Sequence, residues 1–500
     1  MKRLHSLLLM ATLVWKSTGV VGQNEVRKIY PQPRLTPEVA RLQQQRVTWK
    51  AGRQLRMALP AAVDNSRAPY FPPVINQQGG SCAQASGIGY LFTYEMNRLL
   101  GRAASESGNR FSYLFSWNFL NNGRDEGGVV DEGLFLAERY GMMTEADYGA
   151  ASTYQFKWAT GYEKYRNATR YKAKETLVFP AVTEQDLQAV KRYLYDAGDG
   201  SRTGGIVTFS TQSGNWKMTD YEGPSETGYH TLLTALATTG AHALTIAGYD
   251  DRVAYTDSEG TVHYGAFIVV NTWGSHMHDE GRFYLPYYFF LHRDKLPAGA
   301  VLGTDLTGVR VGTTEPRVVY KVCVDYSSRN DLSVNYGPAQ QRDAVRPDAS
   351  YWLAIMRNQG GDVAMQGAWN GRGEMEFAID CTDPSLTGGE RPARYFLNIV
   401  RSGRGSVTGE GYLKAFSVID YRGAEPREYV CKLSGEPLKM GENLFSIPVV
   451  PRYVVSASPL RGQPSPATYL LRRADGRYVK VQLVKEADGG ARLRYALLNH

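Results

Sequence analysis

The stretch that most constrains this chain is Asn76-Gln77-Gln78-Gly79-Gly80-Ser81-Cys82-Ala83-Gln84-Ala85, which runs unbroken into Ser86–Met96. It reads as a tight loop delivering one cysteine to the start of a helix. The apolar residues Ile88, Leu91, Phe92, Met96 and Leu99 recur at helical spacing, so one stripe is expected to face a core while Glu95, Asn97 and Arg98 face out. Gly79 and Gly80 supply the turn, and Ser81 is the expected N-cap. Cys82 then falls in the first turn, where unpaired N–H groups and the helix dipole favour a thiolate. The competing reading is a small buried hydrophobe, the commonest fate of an unpaired cysteine.

Two further segments bear on that choice. Gly240-Ala241-His242-Ala243-Leu244-Thr245-Ile246 puts one histidine at the head of an apolar run with the texture of a buried strand. Gly265–Val270 is a second such run, leading directly into Asn271-Thr272-Trp273-Gly274. A thiolate nucleophile needs an imidazole to manage its proton, and the imidazole needs a third group to fix its ring. Taken singly, His242 could be a hydrogen-bonded core histidine and Asn271 a turn residue. Taken with Cys82, they form a nucleophile, base and orienter set.

Cys82, His242 in an Ala-His-Ala run ending in Gly248-Tyr249, and Asn271-Thr-Trp-Gly followed by Gly281-Arg282-Phe283-Tyr284-Leu285-Pro286 resemble the papain-type cysteine peptidases, of the kind found in secreted bacterial proteins. Leu59–Asp64 is similar to the mature start of that family, and Pro73–Gln77 to the segment carrying its oxyanion glutamine. Gly127-Gly128 is similar to the glycine pair that lies along the substrate backbone. The resemblance covers about residues 59–295. It implies Cys82 as nucleophile, His242 as base, Asn271 as orienter with Trp273 shielding it, Gln77 at the oxyanion, and Gly127 and Gly128 against substrate. Gln78 competes with Gln77, because Gln77 lies five residues before Cys82, one fewer than in the family. Ala83 stands where the family has an aromatic residue. His242 and Asn271 follow Cys82 by 160 and 189 residues, beyond the roughly 130 to 150 of papain-like enzymes. Tyr154–Lys174 and the polar hairpin Asp250–Tyr264 are candidate insertions.

The expected fold is α+β: a papain-like two-lobe catalytic domain, with a helical lobe and a β lobe, followed by an all-β sandwich. The expected boundaries are 1–22, a secretory signal; 23–58, a short basic leader; 59–302, the catalytic domain; 303–453, the sandwich; and 454–500, a small β module or an extension of the sandwich. The signal reading rests on Lys2 and Arg3 before the apolar run Leu7–Trp15, which is too short to span a bilayer. It implies a secreted, periplasmic or cell-surface location, and no later segment is long and apolar enough for a membrane span. Ser112–Phe119, Val130–Tyr140 closed by Gly141, and a helix within Pro180–Leu194 complete the helical expectations. Beyond Leu302, short alternating runs separated by Gly, Pro, Asp and Asn read as sandwich strands.

Charge removes one class of function. The chain carries +8, of which residues 1–22 hold +3 and residues 23–58 hold +6, leaving −1 for residues 59–500. Its basic character therefore belongs to the leader and does not point to nucleic acid. Of the four cysteines, only Cys82 precedes residue 303, and Cys323–Cys381 is the expected disulfide. His276 and His278 are two apart with no third imidazole close in sequence, so they read as a polar loop, with no metal and no cofactor expected. The expected partner is a protein or peptide substrate. Two alternatives stay open: an acyl transferase using the same triad, and an inactive scaffold whose sandwich carries a binding or adhesion function.

Overall fold

The computed structural model describes residues 30–31, 36–50, 58–149, 156–198, 201, 203–353, 356, 361–367, 373–382, 392–404, 411–449, 453–454, 468–473, 478–485 and 491–498. The expected secretory signal and most of the first half of the expected leader lie outside the described residues, as do Asp475-Gly476 and Asp488–Gly490, which the sequence marks as turns between strands of the expected C-terminal β module. The chain is α+β, with several sheets and few helices. Among the described residues no helix is long and apolar enough to cross a membrane.

The helix that begins at Cys82 runs to Leu100, but its middle, Ala85–Phe92, is wound in wide turns. The Thr93 N–H bonds the Ile88 carbonyl, five residues back instead of four. Each such turn inserts a residue and swings everything downstream by about 100°. The outcome corrects the sequence reading at its C-terminal end. Ile88, Leu91, Phe92 and Met96 are buried as expected, yet Leu99 is 54% exposed, while Glu95 and Asn97 are buried. Glu95 is satisfied inside by the Tyr193 hydroxyl at 3.0 Å, the Ile206 N–H at 3.2 Å and Arg98 at 2.9 Å. A buried carboxylate so surrounded is tolerable because each partner replaces a lost water.

Around this helix gather Tyr113–Leu120 and Val130–Tyr140, the latter spanning the expected residues. Helix Glu184–Asp196 starts in a Thr183/Asp186 capping box and turns Leu187, Val190 and Leu194 into a second apolar cluster. That cluster also holds Val207, Phe209, Leu244, Ile246, Phe267–Val269 and Phe283. These last residues come from a ten-stranded sheet. Its central strands are Tyr171–Pro180, Asp305–Thr313, Val207–Gln212, Ala241–Thr256, Val262–Val270 and Arg282–Pro286, in that spatial order. The expected hairpin around Asp257–Gly260 joins Ala241–Thr256 to Val262–Val270. Strand Asp305–Thr313 lies in this sheet, C-terminal to the expected boundary at residue 302.

Beyond it stand two four-stranded antiparallel sheets. One orders Gly373–Asp380, Val318–Tyr326, Tyr412–Asp420 and Arg427–Val430; the other orders Tyr351–Trp352, Leu332–Ala339, Arg394–Arg401 and Gly441–Pro448. Tyr320 of the first sheet donates to the Phe396 carbonyl of the second at 3.2 Å. Both sheets contribute to the apolar cluster that holds Ile88 and Leu91, so their apolar residues are continuous with those of the helices. The join is made by Trp158–Ala168, part of the stretch expected to be a simple insertion. Tyr165 packs edge-on to Phe377, the Glu376 carboxylate accepts from the Tyr162 N–H at 2.8 Å, and the Arg329 guanidinium lies 3.9 Å from the Trp158 ring. Strands Tyr453–Val454, Thr468–Arg473, Tyr478–Lys485 and Ala491–Leu498 form a fourth sheet as an antiparallel meander.

All four cysteines are free, which corrects the expected Cys323–Cys381 disulfide. Strand register keeps the two apart: Cys323 faces Glu376, while Cys381 bonds back to Val318, five residues away along the same strand.

Gly141 ends helix Val130–Tyr140 at φ +74°, and a Cβ there would meet the Ala168 carbonyl oxygen at 1.9 Å. Gly141→Ala is therefore expected to destabilise the chain by about 2 kcal/mol or more, read as a lowered denaturation midpoint. An unchanged midpoint would mean that the helix end is not locked as described.

Candidate functional site

Cys82 is the first residue of its helix and is partly exposed. The loop before it is shaped by Gly79 at φ +51°, where a Cβ would lie 2.2 Å from Asp125 Oδ1, and by the Gly80 N–H, which donates to the same oxygen at 2.8 Å. Ser81 occupies the N-cap position without capping through its side chain, and its hydroxyl is buried. Burial pushes the Cys82 thiol up from the ordinary cysteine range, while the backbone N–H groups of Ala243, Ala83 and Cys82 itself pull it down. Burial prevails. The pull of the helix start is thus opposed by the packing around the sulfur.

The Ala243 contact also locates the sulfur, because Ala243 follows His242 on strand Ala241–Thr256. One turn along the Cys82 helix, the Ser86 hydroxyl donates to the Ala243 carbonyl at 3.0 Å. The helix and the histidine strand are therefore pinned at the position that carries His242, which is 5% exposed. His242 Nε2 lies 2.9 Å from Asn271 Oδ1, and its ring stacks on Trp273 at 4.6 Å and 24°. Trp216 packs beside Trp273, 6.2 Å edge-on to His242 and 5.2 Å from Trp273. No periodicity marks Trp216 in the sequence, since it precedes the short strand Lys217–Asp220 at the far edge of the large sheet.

Asn271 is fully buried at the end of strand Val262–Val270. Its carbonyl accepts from the Tyr90 hydroxyl at 2.8 Å, and Tyr90 in turn accepts from the Ile75 N–H at 2.7 Å. Its side-chain Oδ1 also accepts from the Thr272 N–H at 2.8 Å, and its Nδ2 lies 3.2 Å from His278 Nε2. The Thr272 contact fixes the amide's orientation: a backbone N–H can only donate, so the atom facing it is the oxygen.

Gln77 sits beside this corner. Its N–H donates to the Thr272 carbonyl at 2.7 Å, its Oε1 accepts from the Thr272 hydroxyl, and its Nε2 donates to the Gly79 carbonyl at 2.8 Å. Gln78 instead bonds back into the loop, its carbonyl accepting from the Ser81 N–H at 3.3 Å. Gly127 is exposed and Gly128 half-buried; a Cβ on Gly127 would come no closer than 3.8 Å, to the Gly80 carbonyl oxygen. Cys82, His242, Asn271, Gln77 and Trp273 thus come together, with the glycine pair bordering the Cys82 loop. His276 is exposed, whereas His278 is not merely part of a polar loop. Among the described residues no group of three or more His, Cys, Asp or Glu side chains is placed to hold a metal ion.

The segment expected to be a leader reaches the same site through Tyr30. The Tyr30 carbonyl accepts from the Ala241 N–H at 2.9 Å, and its hydroxyl donates to Asp125 at 2.8 Å. Its ring lies so close to Gly80 that a Cβ there would meet it at 2.9 Å. Burial and the Asp125 carboxylate push the Tyr30 phenol up, with a smaller contribution from Cys82. Further along, Arg46 pairs with the buried Asp131 through Nε and Nη2, and Trp49 stacks on Phe179 at 5.4 Å. The sequence marks this segment only as basic and Pro-containing, which gives no sign of where it docks.

No family model and no curated protein matches the chain. Among solved structures, xylellain, a cysteine protease from Xylella fastidiosa, shares 17% identity, covering 57% of this chain and 99% of that one, with a TM-score of 0.37. Digestive procathepsin L2 from Tenebrio molitor larval midgut shares 16%, covering 56% and 78%, at 0.38. The proform of the ragweed pollen cysteine protease Amb a 11 shares 14%, covering 51% and 66%, at 0.31. These neighbours are papain-like cysteine proteases, similar at low identity and over part of the chain. Likenesses this slight leave the functional reading to the geometry of the site.

Proposed function

We propose that the chain is a secreted cysteine peptidase of the papain type, cutting peptide bonds with Cys82, His242 and Asn271 through an acyl-enzyme. One observation carries the reading. Because Asn271 presents an oxygen to His242 Nε2, that nitrogen must be the protonated one, which makes Nδ1 of the neutral ring the base. The thiol, held protonated by burial, becomes a thiolate by giving its proton to Nδ1.

The thiolate attacks the peptide carbonyl carbon, forming a C–S bond as the C=O electron pair moves onto oxygen. The Cys82 N–H and the Gln77 amide stabilise that oxyanion, a type of donor worth about 3 to 4 kcal/mol. One Gln77 N–H is given to Gly79, and the other is the donor this role requires. Collapse breaks the C–N bond, and the imidazolium protonates the departing amine. Water, deprotonated by His242, then attacks the thioester and releases the acid and the thiol. Trp273 and Trp216 keep solvent from the His242–Asn271 contact. Gly127 and Gly128 leave room for a substrate strand against the backbone.

On this reading residues 59–302 hold the catalytic groups on two lobes, one helical and one β, and residues 1–22 act as the secretory signal. Residues 23–58 form a leader whose Tyr30 stands where substrate must enter.

The test is intact-mass labelling with an irreversible thiol-directed peptide probe. Single labelling that is lost in Cys82→Ala and slowed at least about tenfold in His242→Ala is expected; labelling no faster than that of an ordinary exposed thiol would overturn the reading. The sign of the pH dependence follows from burial. With its resting pKa raised, Cys82 in His242→Ala is expected to react appreciably only above the usual thiol range, while the wild type reacts near neutral pH. Superimposable pH curves for the two would exclude His242 as the base. Tyr30→Ala is expected to speed labelling several-fold, and no change would mean that Tyr30 does not stand in the way.

A further inference from the structure

His278 was read from the sequence as part of a polar loop, yet its Nε2 lies 3.2 Å from Asn271 Nδ2. The Thr272 N–H establishes that Asn271 Oδ1 is the oxygen, so Nδ2 is an amide nitrogen that can only donate. His278 Nε2 must therefore carry a lone pair, and the His278 ring proton sits on Nδ1. We infer that His278 is a positioning residue: by accepting from Asn271 Nδ2, it holds the amide with its oxygen toward His242 and so fixes the His242 tautomer. This rests on the peptidase reading only for its consequence in activity, not for the tautomers themselves.

The loop is built to keep the ring there. His278 has φ +53°, a left-handed conformation uncommon for a non-glycine residue. Backbone bonds hold the turn: the Gly281 N–H donates to the Met277 carbonyl at 2.7 Å, and Asp279 and Arg282 exchange backbone bonds at 3.1 and 3.0 Å. Phe283 and Trp216 flank the ring edge-on at 5.2 and 5.9 Å. The Thr272 N–H holds the oxygen and His278 holds the nitrogen; with His278 replaced, one backbone bond is left to oppose rotation, and an amide that turned over would bring NH₂ against His242. Nε2 would then have to accept, its proton would move to Nδ1, and Nδ1 could no longer take the Cys82 proton.

The experiment uses the full chain with ¹⁵N-labelled histidine, His278→Gln and His278→Asn. Glutamine reaches far enough to keep an acceptor at the Nε2 position, while asparagine tolerates the left-handed backbone but is too short. In the wild type, imidazole nitrogen shifts are expected to show His278 protonated on Nδ1 and neutral His242 protonated on Nε2. His278→Asn is expected to give mixed His242 tautomers and about tenfold slower alkylation of Cys82 by iodoacetamide at an unchanged melting temperature, and His278→Gln is expected to restore both. A proton on His278 Nε2, or a His242 tautomer indifferent to both substitutions, would overturn the inference. Failure of the peptidase reading is seen separately, as wild-type alkylation no faster than that of an exposed thiol.

Discussion

The Tyr90 hydroxyl is the contact on which the arrangement depends. Fully buried, it accepts from the Ile75 N–H at 2.7 Å and donates to the Asn271 carbonyl at 2.8 Å. One oxygen thereby ties the helix that presents Cys82 to the segment that presents Gln77 and to the strand end that presents Asn271. Ser86, on the same helix, adds the tie to the His242 strand through the Ala243 carbonyl. Groups drawn from four separate segments can be held to within a few tenths of an ångström only if the elements carrying them are locked, and buried hydrogen bonds of this kind do that because breaking one leaves an unpaid desolvation penalty. The wide turns of Ala85–Phe92 belong to the same requirement. They place Tyr90 and Ser86 on the side facing the strands while Ile88 and Leu91 still fill the core.

The acid–base logic of the site follows from burial and one amide. Burial raises the Cys82 thiol against the pull of the backbone N–H groups at the helix start. What would convert it is a neighbouring imidazole with the correct nitrogen bare, and that choice is made by the Asn271 oxygen, held from one side by the Thr272 N–H and, on the inference above, from the other by His278. The orientation of a single carboxamide therefore decides whether His242 can act as a base.

What the sequence made legible was local. Cys82 after a glycine turn, His242 at the head of an apolar strand and Asn271 at the end of another are patterns within about ten residues, as is the Val130–Tyr140 helix closed by Gly141. What it hid depends on tertiary register. Glu95, seven residues after Ile88, falls within the apolar stripe of a 3.6-residue wheel, and its charge alone suggested a solvent-facing position; the helix is buried all round through Asn97, and Tyr193 and Ile206 meet the carboxylate inside. Trp216, His278 and Tyr30 reach the site from an edge strand, a loop and the expected leader, none with a periodic signature. The Cys323–Cys381 pairing failed because two cysteines near one sheet say nothing of strand register. The C-terminal strands were visible as strands, but not the continuity of their apolar residues with those of the helices through Trp158, Tyr162 and Tyr165.

The most direct test of the central claim is to look for the covalent intermediate itself. The chain would be mixed with an activated peptide ester, quenched in acid within milliseconds to seconds, and digested for mass spectrometry. An acyl mass on the peptide containing Cys82, absent from Cys82→Ala and accumulating in proportion to turnover, is the predicted result. Turnover without any acyl adduct on Cys82, or an adduct confined to Cys323, Cys381 or Cys431, would contradict it.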